Sequence, residues 1–295
     1  MTLLKVIIPI FNSKKYISRC LESVLKQTEH RYEVVLIDDG STDGSSEICE
    51  YYAANDSRFH VVYQENKGLS AARNVGIDYP IESKYITFID SDDWIPPHSF
   101  RILVDSLERT GCELAIGKHI KTAHYFINAP NEKSDISIMT PEESYCSKSI
   151  SITPAWGKIY ASQLFETIRF PEGRIYEEYA TSWKLIFSVN RIAVVSDVVY
   201  YYFINEEGIV HSKWNPNKMD IFGALYEKRE FFHNNGHYEA EKRAQHKIVK
   251  MAEKFIKQIQ EEGKYVAYLD DLFTIIKNIN TRENIDDISN DGNNN

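Results

Sequence analysis

The first 120 residues repeat a single pattern, a short apolar run followed by apolar residues at helical spacing. Leu3–Ile10 reads as a buried strand. Tyr16, Ile17, Cys20, Leu21, Val24 and Leu25 then mark a helix that Asn12 or Ser13 is placed to cap. Val34–Ile37 and Phe59–Tyr63 are the next strands, followed by helices through Ile48, Tyr51 and Tyr52 and over Leu69–Ile77. Tyr85–Ile89 is a fourth strand, His98–Glu108 a helix, and Cys112–Ile116 a fifth strand. Strands rich in Val and Ile that alternate with helices belong to a parallel sheet covered on both faces. Such a sheet binds ligands beyond the carboxyl ends of its strands. The polar groups concentrate there, in Phe11-Asn12, Asp38-Asp39-Gly40-Ser41, Glu65-Asn66-Lys67-Gly68 and Asp90-Ser91-Asp92-Asp93.

Past residue 120 the pattern loosens. Residues 121–150 are mixed and polar, and read as loop-rich. Order returns over Thr153–Phe203, with a helix at Glu177–Phe187 and apolar runs at Ile192–Val195 and Val198–Ile204. Beyond Asn205 the chain is helical and more charged, and Asn284–Asn295 reads as a disordered tail. In the C-terminal helix, Ala244, Ile248, Met251, Phe255 and Ile259 form an apolar stripe. Arg243, Lys247, Lys250 and Lys254 run one residue ahead of it and Lys257 two, as a basic flank that faces either solvent or anionic lipid.

Composition narrows the class. The chain has 295 residues, with 43 Asp+Glu against 34 Lys+Arg and a net charge of −9. That balance excludes a general nucleic-acid binder, which needs a basic footprint, but not a small anionic ligand neutralised locally. Cys20, Cys49, Cys112 and Cys146 are widely spaced with no C-x-x-C pair, which argues against a zinc site or a disulfide framework and for a reducing, cytoplasmic setting. Leu3–Phe11 is too short and too interrupted by Lys5 for a signal peptide, and no apolar stretch approaches the ~20 residues of a membrane span.

Three motifs carry chemistry. Asp90-Ser91-Asp92-Asp93 sets three carboxylates within four residues of a strand end. Such a cluster is tolerable when solvated, as an acidic turn, or when neutralised by a hard cation such as Mg²⁺ or Mn²⁺. In Asp38-Asp39-Gly40-Ser41-Thr42-Asp43, turn and cap chemistry accounts for the last four residues. The two adjacent aspartates remain, as acceptors for a base N–H or a ribose hydroxyl. Lys67 and Arg73 flank a loop-to-helix junction and, with a metal, suit a diphosphate. Neither G-x-G-x-x-G nor G-x-x-x-x-G-K-[ST] occurs, which counts against dinucleotide dehydrogenases and phosphate-loop ATPases.

Taken in order, Pro9-Ile10-Phe11-Asn12, Asp38–Asp43, Asn66-x-Gly68 through Ala72-Arg73-Asn74-x-Gly76, Phe88–Asp93, Trp156-x-Lys158-x-Tyr160 and Glu177-Glu178 resemble a family 2 glycosyltransferase. The resemblance runs from Val6 to about Ser212. It implies the GT-A fold, a Rossmann-like, mostly parallel sheet flanked by helices, with a C-terminal helical extension. It implies a catalytic domain over residues 1–212, in which 1–120 hold the nucleotide sugar and 121–212 the acceptor. Residues 213–283 are then a helical region and 284–295 a tail.

The resemblance also implies roles. Pro9, Phe11 and Asn12 would line the nucleobase, with Phe11 in place of the commoner Tyr, and Asp39 would accept from uracil N3–H. Lys67 and Arg73 would meet the diphosphate. Asp90, Ser91 and Asp93 would approach the ribose or donor sugar, and Asp92 would ligate Mn²⁺ or Mg²⁺. Trp156 and Lys158 would border the sugar or acceptor, and His211, near a Gly208 hinge, the diphosphate. Glu178 stands where relatives carry the Asp that serves as base, one methylene longer, with Glu177 beside it.

The implied protein is a cytoplasmic, metal-dependent, inverting enzyme acting on a nucleotide sugar, with a UDP-sugar and a glycan, lipid-linked or glycoprotein acceptor as its partners. The C-terminal helix leaves room for peripheral membrane contact. A nucleotidyltransferase, or a nucleotide-sugar-binding module without turnover, would use the same sheet.

Overall fold

A computed structural model of the chain describes residues 2–127, 134–204 and 213–279. Its contacts divide it into two units, Met1–Asn205 and Glu206–Asn295.

The first unit begins with the expected alternation. It runs through β1 (Thr2–Ile10), α1 (Ile17–Leu25), β2 (Tyr32–Asp38), α2 (Ser45–Asn55), β3 (Phe59–Tyr63), α3 (Leu69–Asp78), β4 (Ser83–Phe88), α4 (Ser99–Thr110) and β5 (Leu114–Thr122). It continues with β6 (Ile136–Met139), α5 (Pro141–Cys146), β7 (Lys158–Ala161), α6 (Glu177–Phe187) and β8 (Ile192–Phe203). Among the described residues the strands form one sheet in the order β3-β2-β1-β4-β7-β5-β8-β6. The first four are parallel, as the alternation requires. β7 then inserts antiparallel between β4 and β5, so the fifth strand in sequence does not pair with the fourth. β8 runs parallel to β5, and β6 edges the sheet antiparallel to β8. This is the mostly parallel, helix-flanked α/β sheet of the GT-A expectation.

Period-two alternation assigns the faces. Val6, Ile8, Val34 and Leu36 pack with residues of α1, α2 and α4, while Val35 and Ile37 pack with Ala72 of α3. Each such buried side chain contributes about 1.5–3 kcal/mol. On the α3 side the approach is close. A Cβ on Gly76 would sit 2.4 Å from Ile7 Cγ2, so the helix reaches β1 only because residue 76 has no side chain. Lys5, the charge that interrupts the first strand, is buried. Its Nζ donates to the carbonyls of Ile77 and Tyr79 at 2.7 and 2.9 Å, satisfying carbonyls at the end of α3.

The structure differs from the sequence reading in three places. Helix α1 starts at Ile17 and has no side-chain cap, because Asn12 takes a left-handed turn (φ 48°) and reaches sideways instead. Residues 121–150 hold β6 and α5, and α5 carries a capping box between Thr140 and Glu143 that the T-x-x-E pattern announces. The two apolar runs at 192–195 and 198–204 are one strand, irregular in register near Lys118.

The second unit contains α7 (Asp220–Asn234) and α8 (Tyr238–Glu262). The predicted stripe Ala244, Ile248, Met251, Phe255 and Ile259 is buried. Arg229 bonds Glu241 at 3.1 Å, and Trp214 packs on Phe255, Tyr265 and Tyr268. On the basic flank, Lys250 and Lys257 pair with Glu253 and Glu261. Among the described residues no helix is long and apolar enough to cross a membrane. The tail 284–295 and the Gly208–His211 segment lie outside the described residues.

Gly76→Ala should destabilise the first unit by about 1–3 kcal/mol, the usual cost of overpacking. Urea unfolding checks this, and adding Ile7→Ala should make the double change cost less than the sum of the two singles.

Candidate active site

The site forms where the strand order reverses, between the carboxyl ends of β1 and β4. Pro9 shows why a crevice opens there. Ile7 is the last residue of β1 to pair with β4, and its carbonyl accepts from Ile89. Pro9, two residues on, faces the same side past the end of the ladder, where its missing N–H leaves no bond unmade. It is buried, and Phe11 beyond it is 49% exposed at the rim.

Loops from neighbouring strands are tied together around this crevice. The Asn12 side-chain oxygen accepts from the Thr42 N–H at 2.8 Å, and the Asn12 N–H donates to Ser41 Oγ at 3.1 Å. The Ser13 and Ser91 hydroxyls lie 2.6 Å apart and join the β1 end to the β4 end. Asp38 accepts from the Ser41 N–H and the Ser46 hydroxyl, so it fastens its own turn. Asp39 accepts from the backbone N–H groups of Lys67 and Gly68, both at 2.8 Å, and from Gln64 Nε2 at 2.6 Å. It thereby anchors the start of α3. Gly68 needs φ +87° for this, which its lack of a Cβ allows. A carboxylate accepts about four hydrogen bonds, so Asp39 retains room for one more donor. The Lys67 side chain is exposed at the rim.

The centre of the site is Arg73, on α3 and fully buried. Its Nη1 donates to Glu177 Oε1 at 2.8 Å, and its Nη2 to Asp90 Oδ1 and Glu178 Oε1, both at 3.1 Å. The guanidinium thus joins the end of β4 to the first turn of α6. Burial opposes its charge, but Glu178, Asp90 and Glu177 outweigh that and hold it above its ordinary value. The guanidinium expected at a diphosphate directs its forked N–H groups here onto Glu177, Asp90 and Glu178. Asn74, next on α3, bonds the backbone of Phe170 in both directions at 2.9 and 3.0 Å. The Phe170 ring lies 5.1 Å from the Arg73 guanidinium carbon.

Glu178 has a second donor, the Ala155 N–H at 3.0 Å. The rest of the Trp156-x-Lys158-x-Tyr160 motif secures that peptide. Tyr160 donates to the Ala155 carbonyl at 3.0 Å, and Lys158 Nζ to the carbonyls of Pro154 at 2.6 Å and Trp156 at 3.3 Å. Burial pushes the Lys158 ammonium down to about 7, against the pull of Glu178. Lys158, expected to border the sugar or acceptor, is buried with its ammonium on those two carbonyls. Trp156 is buried too, stacked on Tyr200 at 4.3 Å. Burial pushes the Glu178 carboxyl up to about 7. Arg73 and the Ala155 N–H oppose the rise, while Glu177 and Asp90 add to it. Tyr176, at the start of α6, sits in the left-handed region (φ 64°), so the turn presenting both glutamates is strained.

The acidic segment after β4 divides its work. Asp90 pairs with Arg73, which it shares with Glu177 and Glu178. Asp93 is fully buried and accepts from the Tyr200 hydroxyl and the Phe203 N–H, both at 2.7 Å. Burial, then Asp90 and Asp92, push its carboxyl well above the usual range. The Asp92 carbonyl accepts from Arg19 Nη2 at 2.6 Å, and Arg19 in turn stacks over Trp94 and Phe203 at 4.3 and 4.6 Å. Among the described residues no three His, Cys, Asp or Glu side chains come together as a metal-holding group. The three carboxylates of this segment are thus handled one by one, by a guanidinium, by hydrogen bonds and by partial exposure. His211 lies outside the described residues. Ala155, Tyr200, Arg19 and Phe170 were not expected at the site. An apolar residue's backbone N–H leaves no trace in a sequence, and Tyr or Phe in an apolar run reads as core.

Glu178 is a carboxyl whose pKa rises on folding, from 4.5 to about 7. Between those values the folded chain holds a proton that the unfolded chain has lost. Stability therefore falls as pH rises through this window, and the loss is complete above it. Glu178→Gln removes the dependence, so its Tm relative to wild type should increase from about pH 5 to about pH 8. A constant difference would contradict the raised pKa.

Comparison with known proteins agrees with this architecture. The family model "Glycosyl transferase family 2" matches residues 5–148. The glycosyltransferases GlyA and GlyG of Streptococcus pneumoniae are 31% and 29% identical to the chain, over 79% and 75% of its length. The matched region is 35% of GlyA and 78% of GlyG, so the chain spans about a third of the former. EpsH of Bacillus subtilis is 32% identical over 77% of this chain and 67% of its own length. Among solved structures, S. aureus TarS 1-349 in complex with UDP-GlcNAc superposes with a TM-score of 0.67 at 22% identity, over 93% of this chain and 82% of that one. The same fragment in complex with UDP gives 0.55 at 25% identity, over 76% and 65%. The structural likeness establishes the fold, and the sequence likeness establishes that the chain belongs to glycosyl transferase family 2.

Proposed function

We propose that the protein transfers a sugar from a UDP-linked donor to a glycan hydroxyl with inversion at the anomeric carbon. The observation that carries the reading is the Arg73 clamp, which holds Glu178 beside Asp90 at the strand-order reversal where such sheets take their ligands. UDP and UDP-GlcNAc in complexes of a protein with the same fold support the donor class. The catalytic part is assigned to residues 1–212, with 1–120 holding the donor and 121–212 the acceptor.

The exposed Phe11 ring stacks on the base, and the remaining acceptor position of Asp39 takes uracil N3–H. Lys67 reaches the diphosphate from the rim. Ser91 and Asp90 lie toward the ribose and donor sugar. Glu178 removes the proton from the acceptor hydroxyl as its oxygen attacks the anomeric carbon, and the bond to the diphosphate breaks on the opposite face. One displacement from one face inverts the centre. Glu177 shares the clamp and keeps Arg73 from pairing with Glu178 alone.

Asp92 is the carboxylate for a divalent cation. Mg²⁺ is commonly held by one or two carboxylates with the remaining ligands from phosphates and water, so a single aspartate whose backbone Arg19 fixes fits that donor set. The bound ion would supply charge neutralisation of the departing diphosphate. On this reading the enzyme works in the cytoplasm. The basic flank of α8 is its surface for anionic lipid, and the acceptor is a polysaccharide, lipid-linked or glycoprotein glycan.

UDP release from a panel of UDP-sugars, with Mn²⁺ and with EDTA, tests the reading. Turnover should depend on the metal, and Asp92→Ala should lose metal-dependent donor binding. Glu178→Gln should bind UDP as wild type does while transfer falls about 10²–10⁴-fold. The rate in the wild type should rise with pH through about 7, as Glu178 ionises. UDP binding with no turnover on any donor would refute the transferase, as would nucleotide-sugar synthesis from UTP and a sugar phosphate.

A further inference from the structure

Beyond Gly117, β5 and β8 extend side by side, with His119 opposite Tyr200 and Lys121 opposite Tyr202. Alternation puts these four side chains on one face of the sheet. Trp156 lies on that face, parallel to Tyr200 and 5.6 Å from Tyr202. The His119 ring is 5.0 Å from Trp156, and Lys121 Nζ is 5.5 Å from the centre of the Tyr202 ring. The result is an aromatic wall, buried at Trp156 and Tyr200, half-buried at Tyr202 and His119, and exposed at Lys121.

The wall has a direction. Its inner end adjoins the carboxylates, because Ala155, beside Trp156, donates to Glu178, and Tyr200 donates to Asp93. The Tyr202 hydroxyl also senses them, since burial raises its pKa and Asp93, Asp92, Asp90 and Glu178 add to the rise. Its outer end is positive. Among the described residues Lys121 makes no ion pair, and its ammonium lies over the Tyr202 ring, where it also acts on His119. Aromatic faces suit the C–H face of a sugar ring, and an unpaired ammonium suits an anionic oxygen.

We propose that this wall is the acceptor subsite, and that it selects a glycan whose terminal sugar carries an anionic group, with the sugar ring on Tyr202 and the anion at Lys121. The proposal rests on the reading of Glu178 as the base, because that places the attacking hydroxyl at the inner end and the charged substituent at the outer one. A uronic acid carboxylate and a sugar phosphate present the same chemistry to Lys121.

The test is binding of three small probes to the UDP-loaded protein, by saturation-transfer NMR titration. The probes are methyl β-glucoside, methyl β-glucuronide and glucose 6-phosphate. At least one anionic probe should bind about tenfold tighter than the glucoside, the scale of one charge-assisted hydrogen bond. Which one binds tighter separates the carboxylate from the phosphate. Lys121→Met should erase that preference with UDP affinity unchanged, and Tyr202→Leu should weaken all three probes. Equal binding of the neutral and anionic probes, no binding of any, or a preference that survives Lys121→Met would overturn the proposal. Absence of UDP binding and UDP release in the wild type would instead sink the glycosyltransferase reading, a result the sugar titrations do not produce.

Discussion

One buried guanidinium meeting three carboxylates is the interaction on which the site depends. Arg73 brings a single positive charge to Asp90, Glu177 and Glu178, which lie on two elements far apart in sequence. Without it, the end of β4 and the start of α6 would present three carboxylates to one another. Buried charges of this kind contribute little net stability when paired, yet removing one partner typically costs about 3–5 kcal/mol. The clamp is therefore better understood as a device for geometry than as a source of stability. It sets where Glu178 stands, and the imbalance of charge around it, together with burial, sets the proton affinity of that carboxyl.

The scaffold around the clamp is built to hold it still. Gly76 lets α3 lie against β1, Lys5 closes the carbonyl end of α3, Asp39 anchors its amino end, and Asn74 docks Phe170 against the guanidinium. On the other side, Lys158 and Tyr160 immobilise the peptide that donates to Glu178. Several residues of the motifs thus position other residues. Glu178 meets two donors, Arg73 and the Ala155 N–H, which fix its side chain.

Much of this was legible in the chain itself. Hydrophobic periodicity located β1 to β4 and the helices between them, because a strand buried on both faces and a helix buried on one leave unmistakable spacing. The helix at Glu177–Phe187 and the apolar stripe of α8 were legible for the same reason. The rim motifs followed from the rule that ligands gather beyond strand ends. The short edge strand β6 and the antiparallel β7 were not legible, since four residues carry too little pattern and strand direction is set by partners. Asn12 read as a helix cap, but its side chain found a better partner across the crevice in Thr42.

The sequence by itself determined the fold class, the order of the parallel strands' rim segments and the family, since these rest on local periodicity and on motifs with fixed spacing. Only the tertiary structure decided which charges meet. A cation in a motif shows its chemistry but not its direction, and Arg73 and Lys158 are two such cations. Burial turned both inward, where an unpaired charge is costly. Arg73 then took the nearest carboxylates, and Lys158 the nearest carbonyls. A charge's partner is a long-range fact of packing, and no spacing along the chain encodes it.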